Sequence, residues 1–177
     1  MTKTKWTVDP THSAIEFSVK HMMIAKVKGS FNKFDANISA DPSDLTTAEI
    51  DFTVDLVSID TRNTDRDNHL RSADFFDVEK NPTLTFKSTN IQKTDEETYA
   101  ITGDVTLNGV TKEETFDITF EGQGKDPWGT EKAGFSGKGK VKRSDYGLTY
   151  NAALETGGVL IGDQITLSID IEAAKEA

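Results

Sequence analysis

Cysteine is absent from this 177-residue chain, which excludes disulfides, thiolate metal ligands and thiol nucleophiles. Long hydrophobic runs are absent as well. No stretch approaches the roughly 20 apolar residues of a membrane-spanning helix, so no integral membrane segment is expected. The opening Met1-Thr2-Lys3-Thr4-Lys5-Trp6 has no apolar core behind its lysines and no secretory character; the chain therefore reads as cytoplasmic. Positive charge is in short supply, with 20 Lys and Arg against 30 Asp and Glu and a net charge of -10. That balance argues against nucleic acid and against an anionic membrane as partner, and it serves solubility. Proline (four) and histidine (three) are sparse. No internal repeat or low-complexity segment is present, and the length suits one domain over 1-177.

What the chain does have is period-two alternation. Ile15, Phe17, Val19 and His21 alternate with Glu16, Ser18 and Lys20, the signature of a half-buried strand. Ile50, Phe52, Val54 and Leu56 do the same, as do Tyr99, Ile101, Gly103, Val105 and Leu107. Asn108-Gly109 is a strong hairpin signal, and its return strand carries Phe116, Ile118 and Phe120. Phe135, Gly137, Gly139 and Val141 form a glycine-containing strand, where glycine marks bending or close approach. Ile165, Leu167, Ile169 and Ile171 form the last strand. About eight or nine antiparallel strands result, an all-β class compatible with a barrel or a two-sheet sandwich. Most of the ten phenylalanines fall at alternating positions, so one face is aromatic-rich. That face either packs shut or lines a cavity for an apolar ligand.

The segment from Ile59 to Phe86 breaks the pattern. Thr64 and Asp67 stand at capping-box spacing and predict a helix from about Asp65. Ser72-Ala73-Asp74 offers a second cap, and Asn81-Pro82 a stop before the strand at Thr83. This helical crossover is expected to close one end of the β-structure.

Catalytic signals are weak. His12, His21 and His69 show no short metal-ligand spacing, so no metal and no cofactor are expected. No GxSxG elbow exists, and Gly157-Gly158-Val159-Leu160-Ile161-Gly162 lacks the Gly-Lys-Ser/Thr of a phosphate loop. Asp9, His12 and Ser13 are expected to be structural, at a barrel end. Arg62, Arg66, Arg71 and Arg143 are candidate anion contacts unless they pair with Asp60, Asp65, Asp67 and Asp74 beside them.

A family resemblance adds to this. The opening Trp6-Thr7-Val8-Asp9-Pro10-Thr11-His12-Ser13-Ala14-Ile15-Glu16-Phe17 resembles that of the YceI-like, polyisoprenoid-binding family. So, in order, do Val27-Lys28-Gly29-Ser30-Phe31, Arg66-Asp67-Asn68-His69-Leu70-Arg71-Ser72-Ala73-Asp74-Phe75-Phe76, Gly103-Asp104-Val105-Thr106-Leu107-Asn108-Gly109 and Arg143-Ser144-Asp145-Tyr146-Gly147-Leu148. The resemblance implies a lipocalin-like antiparallel β-barrel of about eight strands with a short helical crossover. It implies a pore holding a polyisoprenoid, an isoprenoid quinone or another long-chain lipid, with no catalytic residues and no nucleic-acid partner; a homodimer is left open. Their alternation with polar neighbours predicts that Phe17, Val19, Phe52, Val54, Phe86, Phe116 and Ile118 point inward and border the ligand or the core. Phe75 or Phe76 of the crossover touches the ligand's hydrocarbon, and His69, Arg66 or Arg71 its head group; the alternative is that Leu70, Phe75 and Phe76 only fasten the helix to the outside of the barrel. The competing expectations are an enzyme acting on a lipid or small molecule, and a stress-related protein with a closed core.

Overall fold

The computed structural model describes residues 3–151 and 160–176. Eleven strands follow the chain: β1 (Thr4–Val8), β2 (Ala14–His21), β3 (Ala25–Phe31), β4 (Phe34–Ala40), β5 (Glu49–Asp55), β6 (Ile59–Asp60), β7 (Thr83–Lys93), β8 (Thr98–Leu107), β9 (Val110–Lys125), β10 (Glu131–Lys142) and β11 (Ile161–Lys175). Among the described residues one α-helix, α1 (Thr64–Arg71), lies between β6 and β7. β1 and β2 run end to end along β11, joined by the short turn Pro10–His12. β4 and β3 pair with them in the same way. The sheet continues β4-β5-β7-β8-β9-β10-β11, and the β1–β11 pairing closes it. The result is a closed antiparallel barrel of eight staves, so the pattern's choice between barrel and sandwich resolves to barrel. Closure removes sheet edges, and the inward rows form two apolar clusters. One surrounds Trp6, Ile38, Leu45 and Ala173 at one end. The other surrounds Phe31, Leu56, Ile59, Leu107 and Tyr146 at the end covered by the crossover.

Glycine in the strands makes room for rings. A Cβ on Gly139 would collide with the Phe116 ring, and one on Gly29 would lie 2.5 Å from Phe17 Cζ. Those rings therefore lie flat across a neighbouring stave. Gly139→Ala should tip Phe116 into the barrel and cost about 1–3 kcal/mol. At roughly 2–4 °C per kcal/mol for a domain of this size, calorimetry should show a Tm lowered by several degrees. An unchanged Tm would mean that the ring has somewhere else to go.

The helix forms as expected but from a different cap. Asn63, extended at φ -149, accepts the Arg66 N–H, whereas Thr64 is already helical. Asp67 is not the third member of a capping box. Its carboxylate is buried and accepts from the Thr61 N–H (2.9 Å) and hydroxyl (2.6 Å). Ser72 ends the helix instead of starting a second one, donating its N–H and hydroxyl to the His69 carbonyl. Capping competes with such tertiary partners, and the buried Thr61 wins Asp67.

Candidate functional site

Between the two clusters the barrel encloses a chamber of about 170 Å³. On that measure a single water needs about 10–15 Å³, so the chamber accommodates on the order of ten water-sized groups. Its wall is built from the inward rows of β4, β5, β7, β8, β9, β10 and β11, with Ile15 and Phe31 from β2 and β3. Apart from Ser136, Tyr99 and Tyr146, the lining side chains carry no polar atom. A second void of about 10 Å³ lies behind Trp6, Ala133 and Ala173, so the Trp6 end is packed nearly solid.

Of the residues singled out above, Phe52, Val54, Phe86, Phe116 and Ile118 line the chamber. Phe17 packs behind the lining residue Phe31, ring centroids 5.4 Å apart. Val19 lies further toward the β2–β3 turn, opposite Val27 and Ile165. Phe76 meets Phe31 edge-on at 6.2 Å. Phe75 belongs to a separate group with His69 and Tyr150, each pair of rings 5.0 Å apart.

Arg66, Arg71 and His69 of the crossover have partners outside the chamber, whereas Arg62 is exposed. Arg66 donates to the Thr61 hydroxyl (2.8 Å) and carbonyl (2.6 Å). Arg71 donates to the Val57 and Ile59 carbonyls and to Asn68. His69 is paired with Asp74 at 2.9 Å. Neither Arg66 nor Arg71 forms an ion pair with the aspartates beside it: each guanidinium directs its donors to loop carbonyls, and the Thr61 hydroxyl stands between Arg66 and Asp67. Arg143, also a candidate anion contact, is 6% exposed and donates to four carbonyls, those of Gly162, Leu148, Tyr150 and Ile161. Burial lowers its pKa. The glycine-rich stretch after Asn151 lies largely outside the described residues.

The polar group that pattern reading missed is Tyr146. It sits in a short helical turn (Arg143–Tyr146) just after β10, in a stretch without periodicity. Its side chain is 0% exposed and lines the chamber. The turn is pinned there by Asn108, whose amide donates to the Tyr146 carbonyl at 2.9 Å. Glu114, two residues before Phe116 on the inward row of β9, lies close enough to interact with the phenol. The two do not meet in hydrogen-bonding geometry: the Tyr146 hydroxyl and Glu114 Oε2 are buried without a partner among the described residues. Burial, then the Glu114 charge, push the phenol pKa up. Burial, then the Asp145 charge, raise that of Glu114.

At the far corner of the barrel, Asp9 caps the Pro10–His12 turn, accepting from the Thr11 N–H. Asp9, His12 and Glu172 bring ligand-type atoms within 4.8 Å of one another, with Lys132 3.8 Å from Asp9. The Asp9 hydrogen bond (2.8 Å), then the Asp9 and Glu172 charges, raise the His12 pKa. A histidine whose pKa is higher folded than unfolded adds stability below the unfolded value, and that stability disappears as pH rises through the folded value. NMR titration should give His12 a midpoint above the ordinary 6.5. Asp9→Asn should return it toward that value; an unshifted midpoint would show that the pair does not form in solution.

Similarities to a family model and to three known proteins bear on this geometry. A family model for the YceI-like domain matches residues 6–173. A UPF0312 protein of Staphylococcus epidermidis is 43% identical over 170 residues, covering 96% of each chain. The crystal structure of a Campylobacter jejuni YCEI protein is similar at a TM-score of 0.76 and 37% identity, over 89% of this chain and 90% of that one. A polyisoprenoid binding domain from Saccharophagus degradans shares the fold at a TM-score of 0.75 and 14% identity, over 98% and 99%.

Proposed function

Taking as premise that the chain belongs to the YceI-like domain family, we propose that it binds and carries one long apolar molecule in the barrel, without chemical turnover. The observation that carries this reading is the chamber: about 170 Å³ walled by aliphatic and aromatic side chains. The polyisoprenoid named for the Saccharophagus domain is one candidate class of cargo; isoprenoid quinones and fatty-acid derivatives are others. Burying roughly ten methylene-sized groups at about 0.8 kcal/mol each gives on the order of 8 kcal/mol. The cost of association reduces that sum, so an alcohol of ten carbons should bind weakly. A longer chain gains affinity by extending past the chamber, and apolar walls discriminate poorly among chains of similar girth.

The unpartnered Tyr146 hydroxyl in the chamber wall favours a neutral, hydrogen-bonding head group such as a hydroxyl, amide or quinone carbonyl. An anionic head would find no cationic side chain among the described residues of the chamber wall. The test is native mass spectrometry of protein purified from its own cell, with organic extraction of whatever co-purifies, alongside titration of the apo form with geranylgeraniol and geranylgeranyl diphosphate. Binding of the alcohol several-fold tighter than the diphosphate, reduced in Tyr146→Phe, supports the reading. Failure of both to bind the folded apo protein overturns carriage; tighter binding of the diphosphate overturns the neutral head group.

A further inference from the structure

The chain's -10 net charge is unevenly distributed. Lys20, Lys26 and Lys28 on the β2–β3 hairpin, and Lys138, Lys140 and Lys142 on β10, are all exposed. The β11 row between the two groups is uncharged where it pairs with them: Gln164, Thr166 and Ser168 face Lys142, Lys140 and Lys138. Lys20 stands directly opposite Lys26, a like-charge arrangement that costs stability in a sheet. None of the six forms an ion pair with a described residue. The carboxylates bordering this face are Glu16, Asp60 opposite Ser30, Asp117 opposite Lys138, Asp170 opposite Ser136, and Asp163, which accepts from Ser144.

The same hairpin ends in Met22, Met23 and Ile24, respectively 44, 57 and 84% exposed. Met22 and Met23 hold positive φ angles of 53° and 62°, a pair of left-handed positions. At the same barrel end the chain makes the β8–β9 turn with Asn108-Gly109, φ 53° and 73°, the residue types such a turn prefers. Two methionines in that conformation are a strained choice for a solvent-facing turn, and they put three large apolar side chains at the tip beyond the lysines.

We propose that this hairpin docks the barrel on an anionic lipid bilayer, the Met22-Met23-Ile24 tip entering the interface and the lysine face lying against the headgroups. An apolar wedge collared by lysines has the chemistry of an interfacial anchor, and each lysine near an anionic surface adds attraction. The acidic remainder of the molecule is repelled, so only this orientation is favourable. Tyr146, Leu56 and Ile59 close the chamber at the end where the tip emerges, which places the cargo's exit next to the bilayer. The inference does not depend on which cargo is carried.

The test is co-sedimentation of the full chain with vesicles of phosphatidylcholine alone, or of phosphatidylcholine with phosphatidylglycerol, at low and physiological salt. Binding is expected only with phosphatidylglycerol and weaker at higher salt. Met23→Ser with Ile24→Ser, and separately Lys20→Gln with Lys26→Gln, should each lower the apparent affinity about tenfold without lowering Tm, the lysine pair's removal holding or raising it. Geranylgeraniol binding to the same variants reports separately on the chamber. No association with phosphatidylglycerol vesicles would overturn the proposal. So would association unaffected by the tip substitutions, or a lysine-dependent affinity for duplex DNA equal to that for vesicles.

Discussion

Val54→Phe combined with Val141→Phe is expected to lower long-chain affinity at least a hundredfold while leaving the barrel folded. Both side chains line the chamber, one on β5 and the other on β10, opposite each other around the eight staves. Each substitution adds a few carbon-sized groups where the chamber accommodates on the order of ten. Losing about six methylene-sized contacts removes roughly 5 kcal/mol of transfer free energy; a hundredfold loss requires about 2.7 kcal/mol. The added rings occupy space between existing side chains, so thermal stability should hold or rise, provided that they enter ordinary rotamers. The measurement is displacement of a fluorescent fatty-acid probe by geranylgeraniol, read beside Tm. Unchanged affinity in a folded double variant would place the cargo outside the chamber.

The largest stability effect is expected at Arg143. Its guanidinium ties the carbonyls of Leu148 and Tyr150 to those of Ile161 and Gly162 at 2.7–3.2 Å, holding the residues after β10 to the start of β11. Arg143→Met keeps the stem and leaves buried carbonyls without donors, at about 1–3 kcal/mol for each that water cannot reach. A loss of about 4 kcal/mol is expected, or roughly 8–16 °C in Tm. Arg143→Lys should recover only part of it, because a point charge cannot span carbonyls on both sides as a planar fork does. A loss under about 1 kcal/mol for Arg143→Met would show that the loop is held by its neighbours instead.

The strands were legible because half-buried strands alternate, and Ile50, Phe52 and Val54 of β5 alternate without a break. Alternation names the inward row but not the distance across it, so Phe52 and Phe116 read the same way around a chamber or in a solid core. Arg143 was unreadable for another reason. Its partners are carbonyls, which every residue carries, and only the fold selects four of them. Tyr146 sits in an aperiodic turn, and Glu114 was indistinguishable from the other acidic residues until the register of β9 turned it inward. The lysines of β10 stand at every second position from 138 to 142, alternating with Gly139 and Val141 of the inward row. Their juxtaposition with Lys20 and Lys26 required the sheet order.

The seam between β1 and β11, where Trp6 faces Lys175, also bears on how the barrel comes into being. The strands that complete the ring lie at opposite ends of the chain, so closure is among the most non-local steps this molecule can make, and such topologies fold slowly. On the ribosome the last strand emerges after every other stave. Until then the sheet is an open, curved surface with its greasy face uncovered and two unpaired edges, the state most exposed to aggregation. A hydrophobic chain lying along that surface when β11 arrives would be enclosed without passing through any opening. Loading during synthesis and loading of the finished barrel are thus two kinetically distinct routes to the same complex.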